Sequence, residues 1–474
     1  MNTRPWLGVA TLTFSLCALA QEGWPPPVFK ALRAANVPTA SAAALVQEVD
    51  SRRYALSVNH HAAMNPASVM KLVTAYAALE LLGPAYRWKT EAYLEGALRE
   101  GVLEGNLVLK GYGDPKLNQE AFWMLLRALR AKGLREIRGD LVLDRSHFEN
   151  ATGDPRKFDG DAFRPYNVLP DALLVNFKSL RFSFLAEPER GAVRLSVDPR
   201  PPALEVVNLL KLSDGPCPEG RAFRDLLKPT FEPAKPRAVF SGQYPVNCGE
   251  RDVNVALLEP NDQVAGLFRQ LWSEIGGVWN GAVREGSTGA AARLFHAHES
   301  PALAEVVRDM NKFSNNVIAR QLFLTLGAEV GGAPARAEQA RRAVQQWVAA
   351  KGITAPELVL DNGSGLSRSE RISAASLASL LQAAWRSNVM PEFIASLPVA
   401  AIDGTMRRRL RNEGVAGNAH IKTGLLQDVR AMAGYVRDAS GRRYTVVMLV
   451  NHPNAHQAQA ALDSLLRWVY EPPQ

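Results

Sequence analysis

The stretch Pro66-Ala67-Ser68-Val69-Met70-Lys71-Leu72-Val73-Thr74-Ala75-Tyr76-Ala77-Ala78-Leu79-Glu80-Leu81-Leu82-Gly83-Pro84 decides the fold. Its apolar residues Met70, Val73, Ala77 and Leu81 recur at helical spacing, which predicts a helix over 69–82, and Gly83-Pro84 stops it. Ser68 then stands at the helix start, with Lys71 on the same face one turn away. A serine needs a base at its hydroxyl to attack a carbonyl, and a lysine one turn along reaches that hydroxyl provided its amine is neutral. Taken alone the pattern is cheap, because a helix cap followed by a solvated lysine reads the same way.

Working outward, apolar runs over 42–49 and 54–58 flank Asp50-Ser51-Arg52-Arg53 and read as a hairpin. A second hairpin is predicted near the other end, over 430–436 and 444–450, with Asp438-Ala439-Ser440-Gly441 between its strands. The last helix places Ala458, Ala461, Leu462, Leu465, Leu466 and Val469 on one stripe, suited to covering a sheet. The two chain ends are therefore expected to complete one α/β core around a long insertion. Inside it, 90–94 and 106–110 read as paired strands, 119–131 as a helix and 141–143 as a strand. Residues 155–170 are irregular, and from 192 to 278 short strands alternate with Pro-rich turns, a largely β middle. After about residue 291 helices return over 301–311, 316–326 and 337–350, so Ser314 falls on a tight interhelical connection.

A length of 474 residues predicts about three domains. With 47% apolar and 22% charged residues the chain is neither disordered, collagen-like nor polytopic. A net charge of +8, dispersed along the sequence, does not announce nucleic-acid binding. Residues 1–20 carry Arg4, an apolar run and a closing Ala18-Leu19-Ala20, the pattern of a cleaved secretory signal; Cys17 lacks the preceding small residue of a lipoprotein signal. Cys217 and Cys248 then remain, and in an oxidising compartment an even pair most simply forms one disulfide. His60-His61 and His296-x-His298 lack further ligand partners, so neither metal nor cofactor is expected.

Two more short motifs matter. Ser314-Asn315-Asn316 is an S-x-N on the interhelical turn, and Lys422-Thr423-Gly424 lies just before the penultimate strand. The order S-x-x-K, S-x-N, K-T-G is that of penicillin-binding proteins and β-lactamases. On these motifs the sequence resembles the low-molecular-mass class C penicillin-binding proteins, the D-alanyl-D-alanine carboxypeptidases and endopeptidases. The interval from Lys71 to Ser314 spans half of the chain, and this family carries two extra domains there. Gly113-Asp114-Pro115, Gly139-Asp140 with Asp144, Pro165-Tyr166-Asn167, Asp361-Asn362-Gly363-Ser364-Gly365-Leu366-Ser367-Arg368 and Asp403-Gly404-Thr405-Met406 extend the likeness over essentially the whole chain.

The resemblance implies an α/β (α+β) transpeptidase-like core, an antiparallel sheet flanked by helices, with two inserted mainly-β domains. Its boundaries are expected at 21–87 and 285–474 for the core, 88–111 and 193–284 for one insert, and 112–192 for a nested one. It implies that Ser68 attacks the penultimate D-Ala carbonyl with Lys71 as base, that Ser314 passes a proton to the leaving amine, and that Asn316 holds Lys71 and the substrate amide. Lys422 and Thr423 would receive the terminal carboxylate, backbone N–H groups of Ser68 and Leu425 would hold the oxyanion, and a side chain at Gly424 would crowd the substrate edge. Arg368 and Gln427 match positions lining the stem-peptide pocket, with Asp161, Asp171 or Asn176 as candidate acidic-region partners. A lysine titrates near ~10.4, so holding Lys71 neutral near pH 7 requires roughly 4 kcal/mol from burial and a neighbouring cation. The implied partners are peptidoglycan stem peptides and β-lactams, with no nucleic acid, at most peripheral membrane contact, and a periplasmic location. The alternatives are a β-lactamase or esterase on the same core, or a non-catalytic cell-wall binding protein.

Overall fold

The computed structural model describes residues 23–49, 51–149 and 153–471. The expected signal segment, and Asp50 in the first hairpin turn, lie outside the described residues. No helix among the described residues is long and apolar enough to cross a membrane.

The core sheet has five strands: β1 (Ala42–Glu48), β2 (Tyr54–Val58), β3 (Ala419–Leu426), β4 (Val429–Arg437) and β5 (Arg443–Asn451). Their order is β3-β4-β5-β1-β2, antiparallel throughout. Both expected hairpins form, and the chain ends join where Ala42 pairs with Val450 and Glu48 with Tyr444. The Lys-Thr-Gly segment does more than precede a strand: it lies within β3, the sheet's edge.

Strand alternation sends side chains to two cores. Ala42, Ala44 and Val46 face α1 (Pro26–Ala34) and the C-terminal helix Gln459–Tyr470, whose six-residue stripe is buried there as its spacing predicted. Ala43 and Leu45 face the larger cluster built from α2 (Lys71–Leu81), α3 (Leu303–Lys312), α4 (Asn316–Gly331), α5 (Ala337–Ala350) and α6 (Ala374–Trp385). Along α2 every residue from Lys71 to Leu79 is buried, which marks a central helix. Because Lys71 opens that helix, its position in the core is fixed by the apolar residues that follow.

The insertion departs from the expected division. Lys89–Arg99 and Val102–Gly111 pair over ten positions, longer than predicted, and join a seven-stranded sheet with Glu136–Ile137, Leu141–Asp144, Val278–Trp279, Val283–Glu285 and Arg293–Glu299. Helices Gln119–Ala131 and Pro260–Glu274 pack on it, so this unit is mixed rather than mainly β. A second unit of small sheets, over about 180–258, is centred on Phe182, Phe184, Phe240 and Tyr244 and holds the expected Cys217–Cys248 disulfide. From the strand pairing we assign 89–144 and 260–299 to one inserted unit and about 180–258 to the nested one. The turn at Gly111-Tyr112-Gly113 redirects the chain without leaving the first unit. Arg293–Glu299 escapes sequence reading because its half-polar run resembles a loop; the core helices resume at Leu303.

Three segments converge on the Ala67–Met70 turn that leads into α2. Gly365 has φ +80°, and a Cβ there would lie 1.9 Å from the Ala67 carbonyl oxygen. Substituting Gly365→Ala is expected to lower the unfolding temperature well beyond Gly83→Ala, whose φ of +83° is similar but whose Cβ would meet open space. The second should cost only about 1 kcal/mol, so equal melting shifts would show the close approach is unimportant. Replacing both Cys217 and Cys248 by serine is expected to destabilise the nested unit by ~3 to 4 kcal/mol, read from urea unfolding with and without reductant.

Candidate active site

The Ala67–Met70 turn is a 3₁₀ turn that passes into α2, which sets Ser68 and Lys71 one turn apart. Lys71 Nζ lies 3.0 Å from Ser68 Oγ. Its other partners are Asn316 Oδ1 at 2.6 Å and the Ser364 carbonyl oxygen at 2.5 Å. Both are pure acceptors; with two N–H groups committed to them, a neutral amine would turn its lone pair toward the serine hydroxyl. Lys71 is fully buried while Ser68 is partly exposed. Burial, first, and then the nearby Lys422 cation hold the Lys71 amine well below the ordinary lysine value; Arg320 adds to the depression and Glu370 opposes it. The positive end of α2 acts in the same direction.

Ser314 lies between α3 and α4 with φ +55°, a left-handed conformation unusual for a residue with a side chain. Asn315 pins that turn, its Oδ1 accepting from the Val317 and Ile318 N–H groups at 2.9 and 3.0 Å and capping α4. Asn316, the first residue of α4, is thereby delivered to Lys71. From the edge strand β3, the fully buried Lys422 donates to Ser314 Oγ at 2.9 Å and to the Thr423 carbonyl at 2.8 Å. Burial pushes its amine down to about 7. The Thr423 and Thr405 hydroxyl oxygens are 2.9 Å apart.

Ser68, Lys71, Ser314, Asn316, Lys422 and Thr423 thus come together. Leu425 is exposed on the strand edge. Gly424 has a different reason from the one expected: it faces inward, and a Cβ would meet the Pro66 carbonyl oxygen at 2.5 Å. Its bareness lets β3 approach the serine turn rather than keeping a substrate edge clear. Arg368 pairs with Asp428 at 2.8 Å and lies over the Phe158 ring at 4.8 Å, beside the two-residue turn Gln427-Asp428 that places Gln427 at the surface. Of the three candidate partners, Asp161 pairs with Arg164 and Asp171 with Arg145, while Asn176 lines the cleft together with Phe158 and Asp159.

Other groups were not singled out by the sequence. The Ser364 carbonyl lay inside a matching stretch, but a backbone acceptor carries no residue signature. Asn65 is a latch: its side chain accepts from the Ala67 N–H and donates to the Ser367 carbonyl, at 2.9 Å each, while Asn451 bonds its backbone. Beyond Ser314, Asn316 and Leu425 opens a cleft of about 1830 Å³, walled opposite by Phe158, Tyr166, Phe177 and Arg224 of the insertion.

Comparison with known proteins agrees with this geometry. The profile of the D-Ala-D-Ala carboxypeptidase 3 (S13) family matches residues 28–469. The chain is 30% identical to a D-alanyl-D-alanine carboxypeptidase of Actinomadura sp. strain R39 over 84% of its own length and 74% of that protein's. It is 25% identical to the carboxypeptidase DacB of Haemophilus influenzae, over 86% and 84% of the two chains. The crystal structure of penicillin-binding protein 4 from H. influenzae superposes with a TM-score of 0.77 at 23% identity, over 94% of this chain and 98% of that one. The fold is therefore a transpeptidase-like core with inserted domains, and the chain belongs to the D-Ala-D-Ala carboxypeptidase 3 (S13) family.

Proposed function

We propose that this protein is a serine D-Ala-D-Ala carboxypeptidase and endopeptidase of the periplasm, trimming peptidoglycan stem peptides and cross-links through an acyl-enzyme on Ser68. The observation that carries the reading is the Lys71 amine, buried among acceptors with Ser68 Oγ 3.0 Å away. Lys71 Nζ takes the hydroxyl proton as Ser68 Oγ bonds the penultimate D-Ala carbonyl carbon. Backbone N–H groups of Ser68 and Leu425 hold the oxyanion. The C–N bond then breaks, the departing amine takes a proton through Ser314, and water, deprotonated by Lys71, releases the acyl group. General-base assistance of this kind is worth about 10²- to 10⁴-fold.

Charged Lys422, with the Thr423 hydroxyl, receives the substrate's terminal carboxylate. The open edge of β3 lets the peptide align as an added strand. Arg368 and Gln427 border the stem-peptide side chain. The cleft beyond Ser314, Asn316 and Leu425 leaves room for a branched wall polymer next to the proposed site. That observation ranks the peptidase above a β-lactamase or esterase, and the buried amine ranks it above a passive binding protein.

Incubation with benzylpenicillin should add one drug mass to the peptide containing Ser68, and Ser68→Ala should carry none; label elsewhere would refute the assignment. Rapid turnover of a chromogenic cephalosporin would instead favour the lactamase. Because Lys422 is charged only below about 7, KM for a D-Ala-D-Ala peptide should rise as pH climbs through that value. With an ester substrate that lacks the terminal carboxylate the rise should vanish; its persistence would remove Lys422 from carboxylate recognition.

A further inference from the structure

The loop from Asp361 to Gly365 supplies the carbonyl that meets Lys71, yet it forms neither helix nor strand. Its conformation is fixed from within. Glu370 is fully buried, and its Oε1 accepts three backbone N–H groups in succession, from Asp361 at 3.2 Å, Asn362 at 3.1 Å and Gly363 at 3.0 Å. From the other side Thr74, one turn along α2 from Lys71, donates its hydroxyl to the Gly363 carbonyl at 2.7 Å. The next carbonyl, that of Ser364, then points at Lys71 Nζ. Glu370 Oε2 is buried with no hydrogen-bond partner among the described residues.

The charges around this carboxylate are unbalanced. Lys71 faces it from α2, and Arg320 faces it from α4, where that guanidinium is itself buried and donates to the Tyr166 and Val168 carbonyls. Lys422 lies beyond Lys71 on β3, and Asp361 is an exposed neighbour in the loop. Glu370 is therefore a buried acidic group among three buried basic ones, Lys71, Lys422 and Arg320.

We propose that Glu370 is a positioning residue for the acylating pair: Oε1 fixes the backbone that turns the Ser364 carbonyl onto Lys71, and the charge of the carboxylate governs how firmly Lys71 holds its proton. This rests on Ser68 being the nucleophile. An anion facing Lys71 favours the ammonium, so it raises the pH at which the base becomes available. Burial pushes the Glu370 carboxyl up while the three N–H groups oppose that, and the carboxylate in turn favours the charge of the buried Arg320.

The test is the second-order rate constant for acylation of the full chain by benzylpenicillin from pH 5 to 9. In Glu370→Gln the amide oxygen still accepts the three N–H groups but the charge is gone, so the acid limb should move to lower pH by about one unit. A limb in its original place overturns the proposal. Glu370→Asp keeps the charge and withdraws it from the loop. Its limb should stay while the plateau falls by about 10²-fold, and an unchanged plateau removes the positioning role. If the glutamine variant does not fold, the aspartate variant still decides the positioning role through its plateau. Wild-type protein that takes no label at Ser68 would sink the parent reading, whereas labelled wild type with an unmoved glutamine variant sinks only the role of Glu370.

Discussion

The structure depends on one buried amine. A lysine Nζ with no access to water is stable only if it is neutral, or if its charge is met by an anion and a full set of acceptors. Lys71 has three neighbours for its nitrogen, and two of them can only accept. The third is the hydroxyl of Ser68. A neutral amine would use its two N–H groups on those acceptors and turn its lone pair to that hydroxyl, which is what the proposed nucleophile and base require. Lys422 enters by the same logic, since a second buried cation nearby disfavours protonation of the first.

Holding that arrangement requires four chain segments far apart in sequence. α2 contributes Lys71 as its first residue, α4 contributes Asn316 as its first residue, β3 contributes Lys422, and the loop before Glu370 contributes a carbonyl. Each arrives from an element whose own packing fixes it: α2 and α4 are buried nearly all round, and β3 is registered on β4. Their backbones must come close enough for a lysine to bridge them, which is why glycine stands at 365 and 424. In both places a Cβ would fall inside the contact distance of a carbonyl from the serine turn. The sheet that carries this load is completed by the chain ends, so the core cannot close until both β1 and β5 are present.

Much of this was legible in the residues. The helical period after Ser68, the two hairpins and the last apolar stripe are local patterns, and each is decided by a face that must be buried. The Ser314 turn was legible because two apolar periods break there. What stayed hidden was non-local or carried by backbone. The edge strand at Lys422 is half polar, and Arg293–Glu299 is similar; their pairing partners, the adjacent β4 for the first and the distant strand Lys89–Arg99 for the second, make them strands rather than their own composition. The division of the insertion was misjudged because a Gly-rich turn resembles a domain exit when the partner strands are unknown. Asn315 looked like the idle middle of S-x-N, yet it caps α4 and sets the direction of Asn316. Arg368 was readable as a pocket residue or a loop ion pair, and it makes the ion pair, with Asp428, while lying over the Phe158 ring.

The insertion matters because of what it adds around the residues that the core brings together. Among the described residues, the groups hydrogen-bonded to Ser68 Oγ, Lys71 Nζ and Ser314 Oγ come from the core. The inserted units supply the far wall of the cleft, with Phe158, Tyr166 and Phe177 across from Leu425 and Leu366. They are also tied to the core: Arg320 of α4 donates to the Tyr166 and Val168 carbonyls, and Lys116 pairs with Asp309 of α3 at 2.8 Å. Arg320 is thus shared between the wall and the charge balance around Lys71. A shift of the insertion that carried away its two carbonyl partners would leave a buried guanidinium short of acceptors in the charge environment of the Lys71 amine.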